Sequence, residues 1–186
     1  MTTLQVRDLP LAGLKLVQRA RAADARGFLA RLFDAQALEA AGWRAPVAQV
    51  NHTLTTAAGT VRGLHLQLPP HAEMKLVSCV RGEVWDVAVD LRARSATFGQ
   101  WHAERLSADN GRALLIPQGF AHGFQSLQDD VELVYCHSAA YAADAEWGVD
   151  AQDPRLAIAW PLPVIARSPR DSALARIATD FEGVRL

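Results

Sequence analysis

Two histidines sit in glycine-marked, strand-forming stretches with cations close by. The first stretch is Gly59-Thr60-Val61-Arg62-Gly63-Leu64-His65-Leu66-Gln67; the second is Gly111 followed by Pro117-Gln118-Gly119-Phe120-Ala121-His122-Gly123-Phe124. An imidazole titrates near pH ~6.5, so a histidine can take and return a proton around neutrality, or bind a metal through a ring nitrogen. Lys75 opens the apolar run Leu76-Val77. A cation there is either a solvated strand end or a charge held against a reacting group. A lone histidine would read as a satisfied core residue. Two at matched positions, beside Arg62 and Lys75, point to a functional pocket.

These side chains need a scaffold to bring them together, and the sequence suggests strands. Gln49 to Thr55, Gly59 to Leu68, Met74 to Val80, Gly82 to Asp90, Gly99 to Leu106, Arg112 to Ile116, Gly123 to Leu127 and Val131 to His137 are short segments rich in strand formers, separated by Gly, Pro, Asn and Asp turns. In the fourth, Val84, Asp86, Ala88 and Asp90 share one face. Arg62 and His65 are an odd number of positions apart, so regular alternation would put them on opposite faces. Either a bulge at Gly63 breaks that register, or Arg62 reaches the mouth of the pocket from the rim. Asp24-Ala25-Arg26-Gly27 is a turn signal, and residues 34–42 (Asp34 to Gly42) predict a short helix closed by glycine. Residues 4–20 suit an edge strand or arm, and a further short helix is expected around Ser172–Ile177. Eight strands at this spacing favour a sandwich or jelly roll over a βαβ fold, in a single domain of residues 1–186 with 161–186 as a C-terminal segment.

Composition narrows the function classes. With 19 basic and 20 acidic residues the net charge is −1, so no overall field recruits nucleic acid or an anionic membrane. No stretch approaches the ~20 apolar residues that span a bilayer, and the N-terminus lacks a signal-peptide pattern. Cys79 and Cys136 lie far apart in apolar contexts and read as small buried hydrophobes in a reducing compartment, so the expected location is cytoplasmic.

A glycine six residues before a histidine, then a glycine six residues before Pro-x-Gly-x-x-His, is the two-part layout of the cupin barrel. The expected fold is therefore mainly β, a double-stranded β-helix jelly-roll barrel with a few short helices. Metal-binding cupins place a second histidine where this chain has Gln67, and an amide oxygen is a poor substitute for imidazole toward a transition metal. A metal-dependent enzyme would need His65, His122 and one of Gln67 or Glu73, with His71 near the same turn. No metal or other cofactor is expected.

The longer motifs resemble one family. Val61-Arg62-Gly63-Leu64-His65-Leu66-Gln67, Lys75-Leu76-Val77, Asp86-Val87-Ala88-Val89-Asp90-Leu91-Arg92, Ser95-x-Thr97-Phe98-Gly99 and Ile116-Pro117-x-Gly119-Phe120-Ala121-His122-Gly123-Phe124 resemble the dTDP-4-dehydrorhamnose 3,5-epimerases. Asp24-x-Arg26-Gly27-Phe28, Asp153-Pro154, Ile158-x-Trp160-Pro161 and Asp171 extend the likeness over about residues 15–175. The resemblance implies epimerisation at C3 and/or C5 of a nucleoside-diphosphate 4-keto-6-deoxyhexose. It makes His65 the base, Asp171 its orienting partner, Lys75 the group facing the oxyanion and Tyr135 the acid on the opposite face. It implies that Arg62 and Arg26 hold the diphosphate, that Gln49 and Asn51 lie near the nucleoside, and that His122, Gln67 and Tyr141 line the pocket. A homodimer is also implied, with the N-terminal arm contributing to the partner's sheet.

The departures cluster on nucleotide recognition. Leu29, Ala30 and Arg31 stand where the family usually continues with an aromatic and then a Glu. Ala140 replaces an aromatic beside Tyr141, and Ala151 falls where a Trp is common. A lost stacking ring forfeits ~0.5–1.5 kcal/mol. Two further readings follow: a C3 or C5 mono-epimerase acting on a CDP or GDP sugar, or drift within an ordinary dTDP enzyme. A non-catalytic sugar-binding module is disfavoured, because a binder has no use for an acid and a base on opposite faces.

Overall fold

A computed structural model describes residues 4–186. The chain opens with β1 (Leu4–Asp8), β2 (Lys15–Arg19), β3 (Arg21–Asp24) and β4 (Gly27–Ala30), followed by helix α1 (Ala35–Glu39). The barrel strands are β5 (Gln49–Thr55), β6 (Val61–Gln67), β7 (Lys75–Arg81), β8 (Glu83–Asp90), β9 (Trp101–Ser107), β10 (Arg112–Ile116), β11 (Phe120–Ser126) and β12 (Val131–His137). A short β13 (Glu146–Gly148) and the one-turn helix α2 (Pro169–Ser172) complete the fold. All eight expected strands are present, joined by β1–β4 and β13.

Two antiparallel sheets face each other as a jelly roll. One has the order β1-β2-β10-β7-β12-β5 and the other β13-β6-β11-β8-β9. Val77, Cys79, Leu114, Ile116 and Leu133 of the first sheet meet Val84, Ala88, Phe120 and Phe124 of the second in a core between them. Both outer faces are covered as well. Helix α1 and its flank lay Leu38 and Trp43 over Val17, Leu76, Ala113 and Leu115. The C-terminal segment lays Leu156, Val184, Ile177 and Phe181 over Val61, Leu66, Val87 and Val89. Strands buried on two faces do not need to alternate. That is why β7 and β8 read as near-continuous apolar runs.

Local signals set the termini. Asp34 caps α1 by accepting from the Ala37 N–H at 3.1 Å. Residues 4–8 form an edge strand paired with β2, and the turn at Asp24 to Gly27 closes the β3–β4 hairpin. The second helix lies upstream of the expected Ser172–Ile177. Ser168 caps it and Pro169 begins it, a start signal that outweighs the Ala-rich stretch after it. That stretch instead runs along the sheet as cover.

Candidate active site

Each functional side chain enters one cavity because a particular strand aims it there. The cavity, of about 820 Å³, is lined by residues of both sheets and of α2. Gly63 governs the β6 contribution. His65 pairs with His122 and Arg62 with Phe124, so β6 has one more residue than β11 between those two pairs. The extra residue reverses the parity, and Arg62 and His65 both line the cavity. A Cβ on Gly63, whose φ is +104°, would lie 2.6 Å from the His122 carbonyl oxygen. Only glycine fits this crossing.

Asp171 comes from α2 to meet that bulge. Its Oδ1 lies 2.7 Å from His65 Nε2, and its Oδ2 accepts the Gly63 N–H at 3.1 Å. Ser168 Oγ accepts the Asp171 N–H at 3.0 Å, and Arg167 donates to the Asp171 carbonyl oxygen at 2.6 Å. Asp171 as a whole is 3% exposed. Burial alone would raise its pKa, but the hydrogen bonds from His65 and Gly63 outweigh it and hold the group below the ordinary carboxylate value.

Lys75 bridges the two sheets. Its Nζ lies 3.0 Å from Glu73 Oε1 and donates to the His65 carbonyl oxygen at 3.1 Å. At 7% exposed it is not a solvated strand end. Two of its three donors are engaged, which leaves one. On β12, the strand next to β7, Tyr135 sits edge-on to His122 with ring centroids 5.9 Å apart. Burial first, then the nearby Asp86 carboxylate, push the Tyr135 pKa well above its ordinary value, so it remains a phenol at neutral pH. His122 is itself bonded through Nε2 to Asp86, at 2.9 and 3.1 Å.

One sheet therefore holds an oriented imidazole, and the facing sheet holds a fixed ammonium that reaches across to it and, on the next strand, a protonated phenol. Residues 8–179 match the family model described as dTDP-4-dehydrorhamnose 3,5-epimerase. The chain belongs to this family. A dTDP-4-dehydrorhamnose 3,5-epimerase of Shigella flexneri is 46% identical over 149 residues, covering 80% of this chain and 82% of that relative. The Bacillus anthracis dTDP-4-dehydrorhamnose 3,5-epimerase, solved with TDP and PPi bound, superposes with a TM-score of 0.90 at 38% identity, covering 94% of this chain and 100% of that one. A dTDP-6-deoxy-D-glucose-3,5-epimerase from Legionella pneumophila, in complex with dTDP-4-keto-L-rhamnose, gives a TM-score of 0.89 at 37% identity, covering 94% of this chain and 93% of that one.

The cavity of this epimerase-family chain gathers His65, Asp171, Tyr135, Lys75, Arg62, Gln49, Asn51, His122, Gln67 and Tyr141. Arg26 lies elsewhere. It sits at the exposed tip of the β3–β4 hairpin, paired with Asp24 at 2.6 Å and outside the cavity of its own chain. Gln67 lines the cavity, but its amide is committed to backbone. It accepts the Ala142 N–H at 2.6 Å and donates to the His71 and Ala140 carbonyls at 2.9 and 3.2 Å. The donors that a metal centre would need are likewise engaged, with Glu73 on Lys75, His65 on Asp171 and His122 on Asp86. Among the described residues, no group of three or more His, Cys, Asp or Glu side chains could hold a metal ion. No helix among them is long and apolar enough to cross a membrane.

The structure adds site residues that the sequence reading did not select. Glu146 accepts from the Tyr141 hydroxyl at 2.6 Å and pairs with Arg170 beside the cavity. Burial raises the Glu146 pKa, but the Tyr141 and Arg170 contacts outweigh it and the net shift is downward. His137 follows Tyr135 by two positions on β12, and the period of a strand was the signal that placed both on one face. Glu146 and Arg170 had no such signal, because the three-residue strand β13 and the one-turn helix α2 that bring them in are too short to show a periodic pattern.

Proposed function

We propose that the chain epimerises a nucleoside-diphosphate 4-keto-6-deoxyhexose, with conversion of dTDP-4-dehydro-6-deoxy-D-glucose to dTDP-4-dehydro-L-rhamnose as its main reaction. The observation carrying this reading is the His65–Asp171 pair on one sheet of the cavity, with Lys75 reaching the His65 backbone from the facing sheet and Tyr135 on the strand next to Lys75. Asp171 accepts from Nε2–H, so the lone pair of neutral His65 is on Nδ1. That nitrogen takes the proton from the carbon next to the ketone, and the C–H electron pair moves into an enolate. The remaining N–H of Lys75 faces the enolate oxygen, where a fixed cation in a dry pocket is most effective. Tyr135 then donates its proton to the opposite face of the carbon, which inverts the centre. Solvent resets both groups, so each turnover leaves a solvent-derived proton on the sugar.

Arg62 has a planar guanidinium suited to a diphosphate, and Gln49 and Asn51 offer amides to the nucleoside. Arg26 lies outside the cavity of its own chain, so a role in holding the diphosphate would have it enter the cavity of a second copy, as in a homodimer. The hairpin that carries it also exposes Phe28 and Leu29. Two buried free thiols, Cys79 and Cys136, support a cytoplasmic location.

Incubation with dTDP-4-keto-6-deoxyglucose in deuterated water tests the reading. Deuterium is expected at C3, C5 or both, and the count decides between double and single epimerisation. No exchange with dTDP, CDP or GDP sugars would overturn it. Exchange confined to a CDP or GDP sugar would establish the altered-donor alternative.

A further inference from the structure

Among the titratable side chains of the cavity that the proton transfer leaves unused is His137. His137 and Tyr135 project from the same face of β12, with rings 6.1 Å apart and 21° from parallel. A directed chain of hydrogen bonds ends on His137. It starts at the peptide N–H of Tyr141, which can only donate, and does so to Gln49 Oε1 at 3.0 Å. That contact turns Gln49 Nε2 toward Asn51 Oδ1, to which it donates at 2.8 Å. Asn51 is thereby turned so that its Nδ2 lies 3.4 Å from His137 Nε2. An amide nitrogen only donates, so His137 Nε2 must accept, and its ring must be neutral with the proton on Nδ1.

The surroundings of His137 act in the same direction. Lys75 is its register partner on β7, and Gln49 is its partner on β5. Tyr135 and His122 flank it along the cavity wall, and Glu73 is bound to Lys75. Among the described residues no carboxylate hydrogen-bonds to the ring. Burial, then the Lys75 charge, lower its pKa from 6.5 to about 4, against a smaller opposing effect of the Glu73 carboxylate.

We propose that His137 is a positioning residue, the neutral acceptor that ends this relay and so holds the Gln49 and Asn51 amides in the orientation that receives the nucleotide. The proposal rests on the reading of Gln49 and Asn51 as nucleotide contacts. Without the acceptor, Asn51 keeps only its Oδ1 contact to Gln49, its Nδ2 is left unpaired, and the two amides are held less firmly at that end of the relay. Bound nucleotide then has to order them, which weakens affinity and leaves the chemical step alone.

Two variants separate the relay from simple packing. His137→Gln retains an acceptor oxygen, whereas His137→Leu fills the volume without one. By calorimetry with dTDP, His137→Leu is expected to lose about three- to tenfold in affinity, the worth of a single hydrogen bond. Its KM for the 4-keto sugar nucleotide should rise equally, with kcat within about twofold, while His137→Gln stays within about twofold of wild type. Nitrogen-15 NMR of wild type at pH 7 should show His137 neutral and protonated on Nδ1. Wild-type affinity in His137→Leu, equal losses in both variants, a proton on Nε2, or no binding of dTDP by wild type would each overturn the proposal. The expected ranking of dTDP affinities without deuterium exchange would uphold the relay and remove the epimerase reading.

Discussion

His65 and His122 stand directly opposite each other across the β6–β11 ladder, yet each ring is bonded through Nε2 to a different carboxylate. His122 bonds to Asp86 on the adjoining strand β8, and that carboxylate is wholly buried. His65 bonds to Asp171 on a one-turn helix 106 residues away in sequence. The two pairs are alike in chemistry and differ in setting. In one the carboxylate is closed between strands and only the edge of the His122 ring borders the cavity; the other is assembled at the cavity wall and leaves the His65 side chain 30% exposed, where a substrate can reach it.

This difference predicts opposite consequences for the same substitution. Asp171→Asn should preserve folding but lower kcat by about 10²–10⁴, because an amide neither selects the productive tautomer nor stabilises the imidazolium. Asp86→Asn should chiefly lower stability, by about 1–3 kcal/mol, because it disturbs a buried hydrogen-bonded pair. Urea unfolding and deuterium-exchange kinetics on both variants check this. A fully active Asp171→Asn would remove Asp171 from the mechanism.

Gly63→Ala should be more damaging than its size suggests. The added methyl meets backbone on the neighbouring strand, the His122 carbonyl at 2.6 Å and Gly123 Cα at 2.8 Å, in a conformation that side chains rarely adopt. The strand must shift, which breaks the Gly63 contact to Asp171 and the parity that puts Arg62 beside His65. A loss of at least about 2 kcal/mol in urea unfolding is expected, with exchange activity lost as well. Unchanged stability would show that β6 tolerates a regular register.

How much of this was legible before the structure depended on the range of the interaction. The eight barrel strands and α1 were readable because turns and caps are local, as Asp34 at the start of α1 illustrates. The bulge at Gly63 was readable as a conflict between Arg62 and His65. The shared face of Val84 and Ala88 on β8 was readable, with Val87 and Val89 on the other, but that both faces of β7 and β8 are buried was not, since α1 and the C-terminal segment cover the outer faces. The Glu146–Arg170 pair and the Lys75 contact to His65 depend on barrel closure, which no local pattern encodes. Arg26 carries the motif but lies outside the cavity, and a single chain's geometry offers it no ligand.

Gln67 is expected to act through the loop it holds. Its amide secures Ala142, Ala140 and His71, next to Tyr141. Gln67→Leu orphans these groups, so a stability loss of about 1–3 kcal/mol is expected. KM for the nucleotide sugar should rise because Tyr141 loses its placement, while kcat stays near wild type. A larger fall in kcat than rise in KM would give Gln67 a part in the chemistry.

Acid stability provides a separate test of His137. Above pH 6.5 the ring is neutral in both folded and unfolded chains, so it does not oppose folding. As pH falls from 6.5 toward about 4, the unfolded chain binds a proton that the folded chain refuses, and stability is progressively lost. Below that window the group adds no further slope, and the depressed Asp171 begins to contribute its own loss as it is protonated. Wild type should therefore lose stability relative to His137→Gln between pH 7 and 4, measured as urea midpoints at several pH values. Parallel curves for the two proteins would mean that His137 titrates alike in the folded and unfolded chains, and that its surroundings do not favour the neutral ring.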